Sequence, residues 1–294
     1  MSINCPICES FRIHDFWDKV WMDDHSSVKQ CKDCSLFFLF PQRTEEEQKV
    51  FDQQYNQYIS QREVAVSVKD QKSFADMVDE SIRERYEDVK EFFSVGQSVL
   101  EIGAEKGGFL DMINSSVHDV TGVDSCPEYK DLLKDKGYEA YLYIDEIPPD
   151  RQFDVICFFS LLEHIQNPHD FLEQLKRHLK KDGFFLIEVP SAQDPLISLY
   201  DIDAFKSFYF QAMHPYVYHV DTLQILFQKR RLKISEIKYK QRYGLANHLQ
   251  WLRHGVPGGN TLFQDVFSDS ETSYTNSLEK KGYTDTVYVI AENE

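Results

Sequence analysis

Four of the six cysteines form two closely spaced pairs near the N-terminus. The pairs are Cys5-x-x-Cys8 and Cys31-x-x-Cys34, and 22 residues separate them. Two residues between thiolates allow one tight turn to present both sulfur atoms to a tetrahedral ion. We therefore predict a structural zinc site with four cysteine ligands and no open position. His14 and His25 could also ligate but are not needed, and the alternative is four unrelated thiols with redox chemistry.

A second candidate site lies where an apolar strand runs into a glycine-rich turn. The segment "SVLEIGAEKGGFL" places Glu101 at the end of the strand, with Gly103 and Gly107 in the turn. A dinucleotide site needs the pattern Gly-x-Gly-x-x-Gly, so that a pyrophosphate can approach bare backbone at a helix N-terminus. Glu105 breaks that pattern, and its carboxylate would repel a phosphate. The turn therefore argues against a dinucleotide.

S-Adenosylmethionine (SAM) avoids this conflict, because it contains no phosphate. Nearby carboxylates favour its sulfonium and ammonium groups, and its own carboxylate can bind at a helix N-terminus. Asp124 lies 23 residues after Glu101, where it can accept hydrogen bonds from both ribose hydroxyls of NAD or SAM alike. The turn therefore predicts SAM, although Asp124 alone does not discriminate. The sequence leaves open whether Glu105 contacts the cofactor or points to solvent.

The elements that must position these residues follow a regular order. From residue 96 the chain alternates apolar strands with amphipathic helices, which predicts an α/β fold with a parallel, doubly wound sheet. Ligands bind such sheets beyond the carboxyl ends of the strands, where Glu101, Asp124 and the segment after Phe159 fall. A helix should begin at Asn167, with Pro168 in its first turn, and the segment "KKDG" at 180–183 should form a turn that leads into the fifth strand. The seven predicted strands are 98–102, 119–124, 138–144, 153–159, 184–190, 232–240 and 285–293.

The N-terminal part should form a smaller unit. The aromatic segment 35–40 shows no alternation, so we expect a strand with both faces covered, and Thr44 with Glu47 forms a capping box for a helix. Residues 78–93 have the periodicity of an amphipathic helix. The module is too small to bury its aromatic strand alone and should dock on the larger domain. We predict a zinc-binding module at 1–43, a helical connector or lid at 44–95, and a catalytic domain at 96–294 with acceptor-binding insertions at about 191–222 and 242–284.

The composition of the chain disfavours some classes of binding partner. The formal net charge is -17 over 294 residues, which argues against nucleic acid as the main partner, because phosphate binding needs clustered Lys and Arg. The longest apolar runs fall short of the roughly 18 residues that span a bilayer, and the first residues do not resemble a signal peptide. We expect a cytoplasmic protein with no membrane span that acts on a small, sugar-like molecule; the oligomeric state stays open.

Four segments resemble, in order, the successive motifs of class I SAM-dependent methyltransferases: "VLEIGAEKGGFL", "GVDSCPE", "FDVICFFSLLEHIQNPHDFL" and "LKKDGFFLIEVP". The resemblance implies a Rossmann-like seven-stranded methyltransferase sheet with SAM as cofactor. Glu105 is the departure, since the commonest loop has a further glycine there. The cofactor residues implied are Glu101, Gly103, Ala104, Lys106, Gly107, Asp124, Ser125, Asp145, Ser160 and Leu161.

The whole layout is similar to a narrower subgroup, the bacterial methyltransferases with an N-terminal zinc-binding module that are often associated with sugar or polysaccharide modification. The segments that carry this second resemblance are "CPIC…CKDCSLFFLFPQRT", "QAMHPYVYHVDTLQILF" and "QRYGLANHLQWLRHGVPGG". They say little about the acceptor. The resemblance therefore implies a carbohydrate-related substrate without naming it.

Methyl transfer to a hydroxyl benefits from a base that takes the proton as the new bond forms. We predict His214 as that base, with His164, just after the fourth strand, as the second candidate; a structural role is the alternative for each. The segment around His214 resembles the Tyr-x-Glu-His region of sugar C-methyltransferases, but Gln211 and Met213 replace the tyrosine and the glutamate. Oxygen methylation is therefore favoured over carbon methylation.

Residues 243–254 concentrate aromatic and hydrogen-bonding side chains that suit a sugar ring. We predict that Tyr243, Asn247, His248 and Trp251 bind the acceptor; the alternative is a helix that packs Leu249 and Trp251 on the core. Two alternatives for the whole chain stay open. One is N- or C-methylation of another small metabolite, and the other is a zinc-containing binding protein that has lost catalysis.

Overall fold

The computed structural model describes residues 3–44, Glu47, Val50, 74–258 and 262–294. In chain order the strands are β1 (Ile13–Trp17), β2 (Ser27–Cys31), β3 (Phe37–Phe40), β4 (Ser98–Ile102), β5 (Asp119–Val123), β6 (Glu139–Tyr141), β7 (Phe153–Phe159), β8 (Leu179–Pro190), β9 (Tyr216–Val217), β10 (Leu232–Lys240) and β11 (Thr286–Asn293). The α-helices are α1 (Phe74–Val89), α2 (Gly108–Ile113), α3 (Pro127–Asp135), α4 (Pro168–Lys176), α5 (Pro195–Ser198), α6 (Asp203–Tyr209), α7 (Val220–Lys229), α8 (Leu245–His254) and α9 (Leu262–Lys281).

The chain divides into two compact units. One comprises residues 1–74, 190–222 and 239–287, and contains the four-cysteine segment; we call it the cysteine unit. The other comprises residues 75–189, 223–238 and 288–294, and contains the glycine-rich turn; we call it the sheet unit. Each unit is thus built from three separate stretches of chain.

The sheet unit is built on a seven-stranded sheet with the order β10-β11-β8-β7-β4-β5-β6. Strand β4 pairs in parallel with β5 on one side and with β7 on the other. The chain runs outward from β4 to β6 and then returns to add β7 and β8 on the opposite side, so the strand order switches between β4 and β7. This switch point is where α/β sheets bind ligands.

All seven predicted strands are present, and β4, β7 and β10 have the predicted bounds. Strand β8 differs, because residues 180–183, predicted as a turn, continue the strand. A Cβ atom on Gly183 would lie 2.8 Å from the backbone oxygen of Asp154. The glycine therefore allows a close approach of two backbones at the irregular start of the β7–β8 pairing, and does not mark a turn.

Two predicted helices of the sheet unit are confirmed. Helix α1 is followed by a 3-10 turn at Lys90–Phe92, and the two together cover most of the predicted segment 78–93. Ile82, Tyr86 and Val89 of the helix pack in an apolar core cluster of the sheet unit. Asn167 caps α4, since its side-chain oxygen accepts a hydrogen bond from the Asp170 N–H at 3.3 Å. Across the described part of the chain, no helix combines the length and the apolarity that a membrane span requires.

The cysteine unit contains a four-stranded antiparallel sheet with the order β1-β2-β3-β9. Strand β9 belongs to the segment predicted as the first insertion, so this sheet joins the N-terminal strands to residues far along the chain. Phe37 and Leu39 of the aromatic strand pack in an apolar cluster with later residues of the same unit, among them Phe205 and Trp251. Phe38 is also buried, whereas Phe40 is 39% exposed. Thr44 and Glu47 exchange the hydrogen bonds of a capping box; the rest of that predicted helix lies outside the described residues.

Candidate functional site

The glycine-rich turn between β4 and α2 has an alternating left-handed backbone. The φ angles are +77° at Gly103, +45° at Glu105 and +76° at Gly107. Glycine adopts this conformation freely, whereas a residue with a Cβ atom is strained by about 1–2 kcal/mol. Position 105 is therefore one where glycine would be favoured, and the glutamate is retained there at a conformational cost.

The turn is fixed to the neighbouring strand and helix. The Gly103 N–H donates a hydrogen bond to the Val123 oxygen at 2.8 Å. A Cβ atom on Gly107 would lie 2.6 Å from Leu133, so this glycine is required by space as well as by its φ angle. These contacts hold the turn against the end of β5, where Asp124 follows.

Asp124 is oriented by two backbone donors. Its Oδ2 accepts from the Glu105 N–H and its Oδ1 from the Cys126 N–H, both at 2.9 Å. The carboxylate therefore couples the glycine-rich turn to the start of α3. Two other predicted cofactor residues, Ser125 and Asp145, are exposed. Ser125 follows Asp124 after β5, and Asp145 lies within a 3-10 turn after β6.

Glu101 is the most unusual group in the sheet unit. It is 4% exposed, and its Oε2 atom has no hydrogen-bond partner among the residues that the structure describes. Burial raises the pKa of its carboxyl to about 8; the charge of Arg85 opposes this shift, and those of Glu105 and Asp124 add to it. A buried acceptor beside two further carboxylates calls for a cation that donates hydrogen bonds. An ammonium group supplies both the charge and the donors, whereas a sulfonium supplies the charge alone.

Sequence reasoning missed a second charged group near this edge of the sheet. The Arg85 Nε donates to Glu188 Oε2 at 2.8 Å, and the Ser160 Oγ donates to Glu188 Oε1 at 2.9 Å. The Arg85 guanidinium also lies 4.8 Å from the centre of the Phe159 ring. A signal for Glu188 existed, because a glutamate inside the apolar run "FFLIEVP" must find a partner when it is buried.

The remaining predicted residues of the sheet unit lie around the same strand ends. Ser160 adopts a left-handed φ of +47°, Leu161 packs beside Gly103, and Ala104 is buried. Lys106 exposes its side chain, while its carbonyl oxygen accepts from Lys136 at 2.7 Å. His164 is half-buried at the end of the 3-10 turn after β7, and its N–H donates to the Leu161 oxygen.

The four cysteines of the cysteine unit converge. The Sγ atoms of Cys5 and Cys34 are 3.6 Å apart, those of Cys8 and Cys31 are 3.5 Å apart, and all four sulfur atoms lie within 4.8 Å of one another. A disulfide would need about 2.05 Å, and all four residues are free thiols. Zinc–sulfur bonds of about 2.3 Å place the ligands of a tetrahedral ion about 3.8 Å apart. The donor set and its spacing therefore fit zinc.

The two cysteine pairs are presented by matching turns. The N–H of Glu9 donates to the Cys5 oxygen and that of Ser35 to the Cys31 oxygen, both at 2.9 Å. Glu9 and Ser35 have left-handed φ angles of +68° and +63°. The neighbouring Cys5 thiol and burial raise the pKa of Cys34, so the four sulfur atoms cannot all ionise unless a cation joins them.

His214 lies in the cysteine unit, in the segment 210–215 that we call the His214 loop. The histidine is half-buried, and its N–H donates to the Gln211 oxygen at 3.0 Å. The side-chain nitrogen of Gln211 lies 3.0 Å from Nδ1 of the imidazole and 3.1 Å from Nε2. The side-chain amide of Gln211 therefore lies against the ring of His214.

Two of the four residues predicted to bind the acceptor are interior. Trp251 is 3% exposed, with its ring 5.0 Å from that of Phe205, so it packs in the aromatic core. His248 is 1% exposed with Nδ1 2.6 Å from the Tyr274 hydroxyl, and burial lowers its pKa to about 4. The alternative of a packing helix therefore describes both side chains, because protein atoms cover the surface that a sugar would need.

The other two acceptor candidates keep exposed surface. Tyr243 is 59% exposed, and its backbone N–H donates to the buried Asp285. Asn247 is half-buried, and its Nδ2 donates to the Gly258 oxygen at 2.8 Å. These two residues are the ones that remain available to a ligand.

Comparison with known proteins places the chain in a family. Residues 78–237, just over half of the 294, match the family described as "Methyltransferase domain", and the chain belongs to that family. A solved SAM-dependent methyltransferase from Archaeoglobus fulgidus superposes with a TM-score of 0.51 at 18% identity, covering 73% of this chain and 94% of that one. The predicted Rossmann-like methyltransferase fold is thereby confirmed, and so is the prediction of an enzyme of this class.

Two curated relatives each match about a third of the chain. The ubiquinone biosynthesis O-methyltransferase of Rickettsia bellii is 24% identical over 115 residues, which is 37% of this chain and 46% of that protein. A protein of Mycolicibacterium smegmatis, named as a probable S-adenosylmethionine-dependent methyltransferase, is 29% identical over 104 residues, which is 33% of this chain and 39% of that protein. The chain spans about half or less of the length of these relatives.

Proposed function

We propose that this methyltransferase uses SAM to methylate a hydroxyl group of a sugar, a nucleotide sugar or a related glycan precursor. The observation that carries the cofactor half of the proposal is Glu101: a buried carboxylate oxygen with no hydrogen-bond partner among the described residues, beside Glu105 and Asp124. Such an arrangement suits a cation and disfavours the phosphates of a dinucleotide.

Different residues of the chain would contact different parts of the cofactor. Glu101 would face the positive charge of the methionine part, and Asp124, already oriented by two backbone donors, would accept from the ribose hydroxyls. When bound, SAM supplies an activated methyl group, and the protein has to hold the acceptor oxygen in line with it. The further proposed contacts are Gly103, Ala104, Lys106, Gly107, Ser125, Asp145, Ser160 and Leu161.

His214 would take the proton of the acceptor hydroxyl, with His164 as the second candidate. The amide of Gln211 lies against the imidazole of His214 and would help to orient the ring of a general base. His164 is held by its backbone at the end of a 3-10 turn next to the proposed cofactor residue Leu161. The two histidines are separable by mutation: the base variant should lose turnover but keep cofactor affinity.

Cys5, Cys8, Cys31 and Cys34 would hold one structural zinc ion. A closed shell of four thiolates leaves no position for a substrate or water, so the ion would cross-link the two cysteine turns and take no part in methyl transfer. Its contribution would be to the folding of a segment with a small core of its own.

Several side chains and one relative support a hydroxyl group of a sugar-like molecule as the acceptor. Gln211 and Met213 lack the chemistry that carbon methylation would need, and the Rickettsia bellii relative is named as an O-methyltransferase. Tyr243 and Asn247 offer an aromatic ring and a hydrogen-bonding amide to a sugar-like acceptor. Methylation of a nitrogen or carbon in another small metabolite, and a binding protein without catalysis, are the competing functions.

Two measurements test this function in sequence. Titration calorimetry with SAM should show one binding site per chain, and its absence would eliminate every methyltransferase reading. A mass-spectrometric screen of sugars and nucleotide sugars incubated with SAM should then detect one added methyl group. Product formation by the wild type and by His164→Ala, together with its loss in His214→Ala, would assign the base; the reverse pattern would assign it to His164.

A further inference from the structure

The His214 loop is held by residues that come from the N-terminal segment of the same unit. The Trp21 N–H donates to the Phe210 oxygen at 2.7 Å, and the Ala212 N–H donates back to the Trp21 oxygen at 3.1 Å. At the other end of the loop, the Leu39 N–H donates to the Pro215 oxygen at 3.0 Å. The backbone on both sides of His214 is therefore attached to the segment between the two cysteine pairs and to β3.

One side chain adds a contact between these two backbone attachments. Arg43 Nη1 donates to the Ala212 oxygen at 2.5 Å, and Nη2 donates to Asp23 Oδ2 at 3.2 Å. Both side chains are largely shielded, with exposed fractions of 18% for Arg43 and 7% for Asp23. Arg43 thus connects a carboxylate in the N-terminal segment to the carbonyl group two residues before the proposed base.

The carboxylate end of this connection is itself immobilised. Asp23 accepts hydrogen bonds from the backbone N–H groups of His25 and Ser26 and from the Ser26 hydroxyl, at 2.9 to 3.1 Å. The guanidinium is planar and offers several donors in a fixed fork, so it can serve a carboxylate and a carbonyl at once. A lysine ammonium lacks that fork and is not its equivalent here.

We propose that Arg43, anchored on Asp23, is a positioning residue that fixes the His214 loop, so that the N-terminal segment contributes to catalysis through the geometry of the base. The proposal rests on the proposed function, in which His214 takes the acceptor proton. Arg43 itself touches no reacting atom. It fixes the Ala212 carbonyl group, and with it the turn in which Gln211 is held against the imidazole.

The first test uses the full chain and needs no identified acceptor. Hydrogen exchange, read by mass spectrometry, reports the loop amides of Ala212 and His214, and diethyl pyrocarbonate reports how accessible the His214 ring is. In Arg43→Ala we expect exchange at these amides and carbethoxylation of His214 to accelerate roughly tenfold or more, since a bond to a charged group is lost. Millimolar guanidinium chloride should restore both rates, because it refills the vacated position.

A matched control separates positioning from general loosening. Arg12 is also an arginine of the N-terminal segment paired with an aspartate, Asp33, but it is 70% exposed and belongs to no contact of the His214 loop. Arg12→Ala should leave both rates unchanged, and Arg43→Lys should behave like Arg43→Ala. Unchanged rates in Arg43→Ala, or acceleration without rescue by guanidinium, would overturn the inference.

Failure of the proposed function would look different. In that case the wild type would not bind SAM in calorimetry, or His214→Ala would keep full methyltransferase activity, whatever the loop of Arg43→Ala does. When the function holds, Arg43→Ala should bind S-adenosylhomocysteine as the wild type does and lose turnover to a similar degree as it loses loop protection. Full turnover with a loosened loop would refute the positioning role.

Discussion

Glu101 should make both cofactor affinity and protein stability depend on pH, in opposite directions. Burial raises the pKa of its carboxyl from the ordinary 4.5 to about 8 in the protein without cofactor. The folded state therefore holds a proton that the unfolded chain releases, and stability falls as the pH rises from about 4.5 toward 8. Because one pKa unit corresponds to about 1.4 kcal/mol, the cost of ionising this group is at most about 5 kcal/mol.

Removing the ionisable group of Glu101 should raise the stability of the unliganded protein and lower its affinity for SAM. Glu101→Gln keeps the shape but cannot ionise, so we expect the unliganded variant to be more stable than the wild type at about pH 8. The new amide has hydrogen-bonding needs of its own, which leaves a net gain of roughly 1–3 kcal/mol and a melting temperature a few degrees higher. Affinity for SAM should fall by roughly ten- to hundredfold, because a charge-assisted contact is lost.

The dependence of SAM affinity on pH is the most specific test of the role of Glu101. A cation that binds only the ionised carboxylate must displace its proton below about pH 8, so wild-type affinity for SAM should rise up to about tenfold per pH unit between pH 6 and 8. Methylthioadenosine, which has neither the sulfonium nor the ammonium, serves as the ligand control and should bind independently of pH in this range. Glu173→Gln, an exposed carboxylate on α4, is the matched protein control.

Calorimetry at several pH values, with thermal denaturation on the same samples, tests the reasoning directly. The expected pattern is a steep profile for SAM in the wild type and in Glu173→Gln, and a flat, weaker one in Glu101→Gln. A profile for Glu101→Gln that is as steep as that of the wild type would show that another group titrates. A variant that is less stable than the wild type at pH 8 would show that the buried charge already has a compensating partner.

Three further substitutions test other parts of the site. Asp124→Ala should weaken SAM binding by roughly ten- to hundredfold in calorimetry, whereas exposed Asp135→Ala should not; equal affinities would remove the ribose role. Glu105→Gly should relieve left-handed strain of about 1–2 kcal/mol, partly offset by backbone entropy of about 0.5–1 kcal/mol, and should keep SAM affinity within a few-fold. A loss beyond tenfold would show that Glu105 contacts the cofactor. Elemental analysis should find one zinc ion per chain in the wild type and none in Cys5→Ser, and a zinc-free wild type would contradict the metal assignment. Cys5→Ser should keep its affinity for S-adenosylhomocysteine, since no proposed cofactor residue belongs to the cysteine unit.

The positions of central strands could be predicted because β4 and β7 are continuous apolar runs that are buried along most of their length. In β4 all five residues are buried, and the flanking polar residues marked its bounds. The same reasoning failed in β8, where a local "KKDG" pattern is typical of a turn. The contact that overrides it, between Gly183 and the backbone of Asp154, joins residues distant in sequence. Local propensity cannot report such a contact.

The sequence predicts those features of the candidate site that depend on one short segment of the chain. A carboxylate at the end of a strand and a glycine in a left-handed turn are visible in one short segment, as Glu101 and Gly103 illustrate. Arg85 was not visible, because on the amphipathic helix α1 it has the pattern of a solvated charge, and only the fold brings it to Glu188. His248 and Trp251 failed for a related reason: three residues apart on α8, they share a face, and periodicity cannot say whether that face meets a ligand or the core.

The distribution of charge gives the site its selectivity. Arg85 is a nearby cation, and its guanidinium is committed to Glu188 through two hydrogen bonds, so it only partly offsets Glu101. Glu105 and Asp124, joined by Glu101 when its carboxyl ionises, therefore place an excess of negative charge around the glycine-rich turn. That excess destabilises the unliganded protein and repels phosphates, but a cationic cofactor relieves it. Methyl transfer would remove the sulfonium charge, so the carboxylates that we propose to favour SAM would hold the product less strongly. Glu105 contributes to this negative charge, although a glycine at position 105 would adopt the left-handed backbone with less strain.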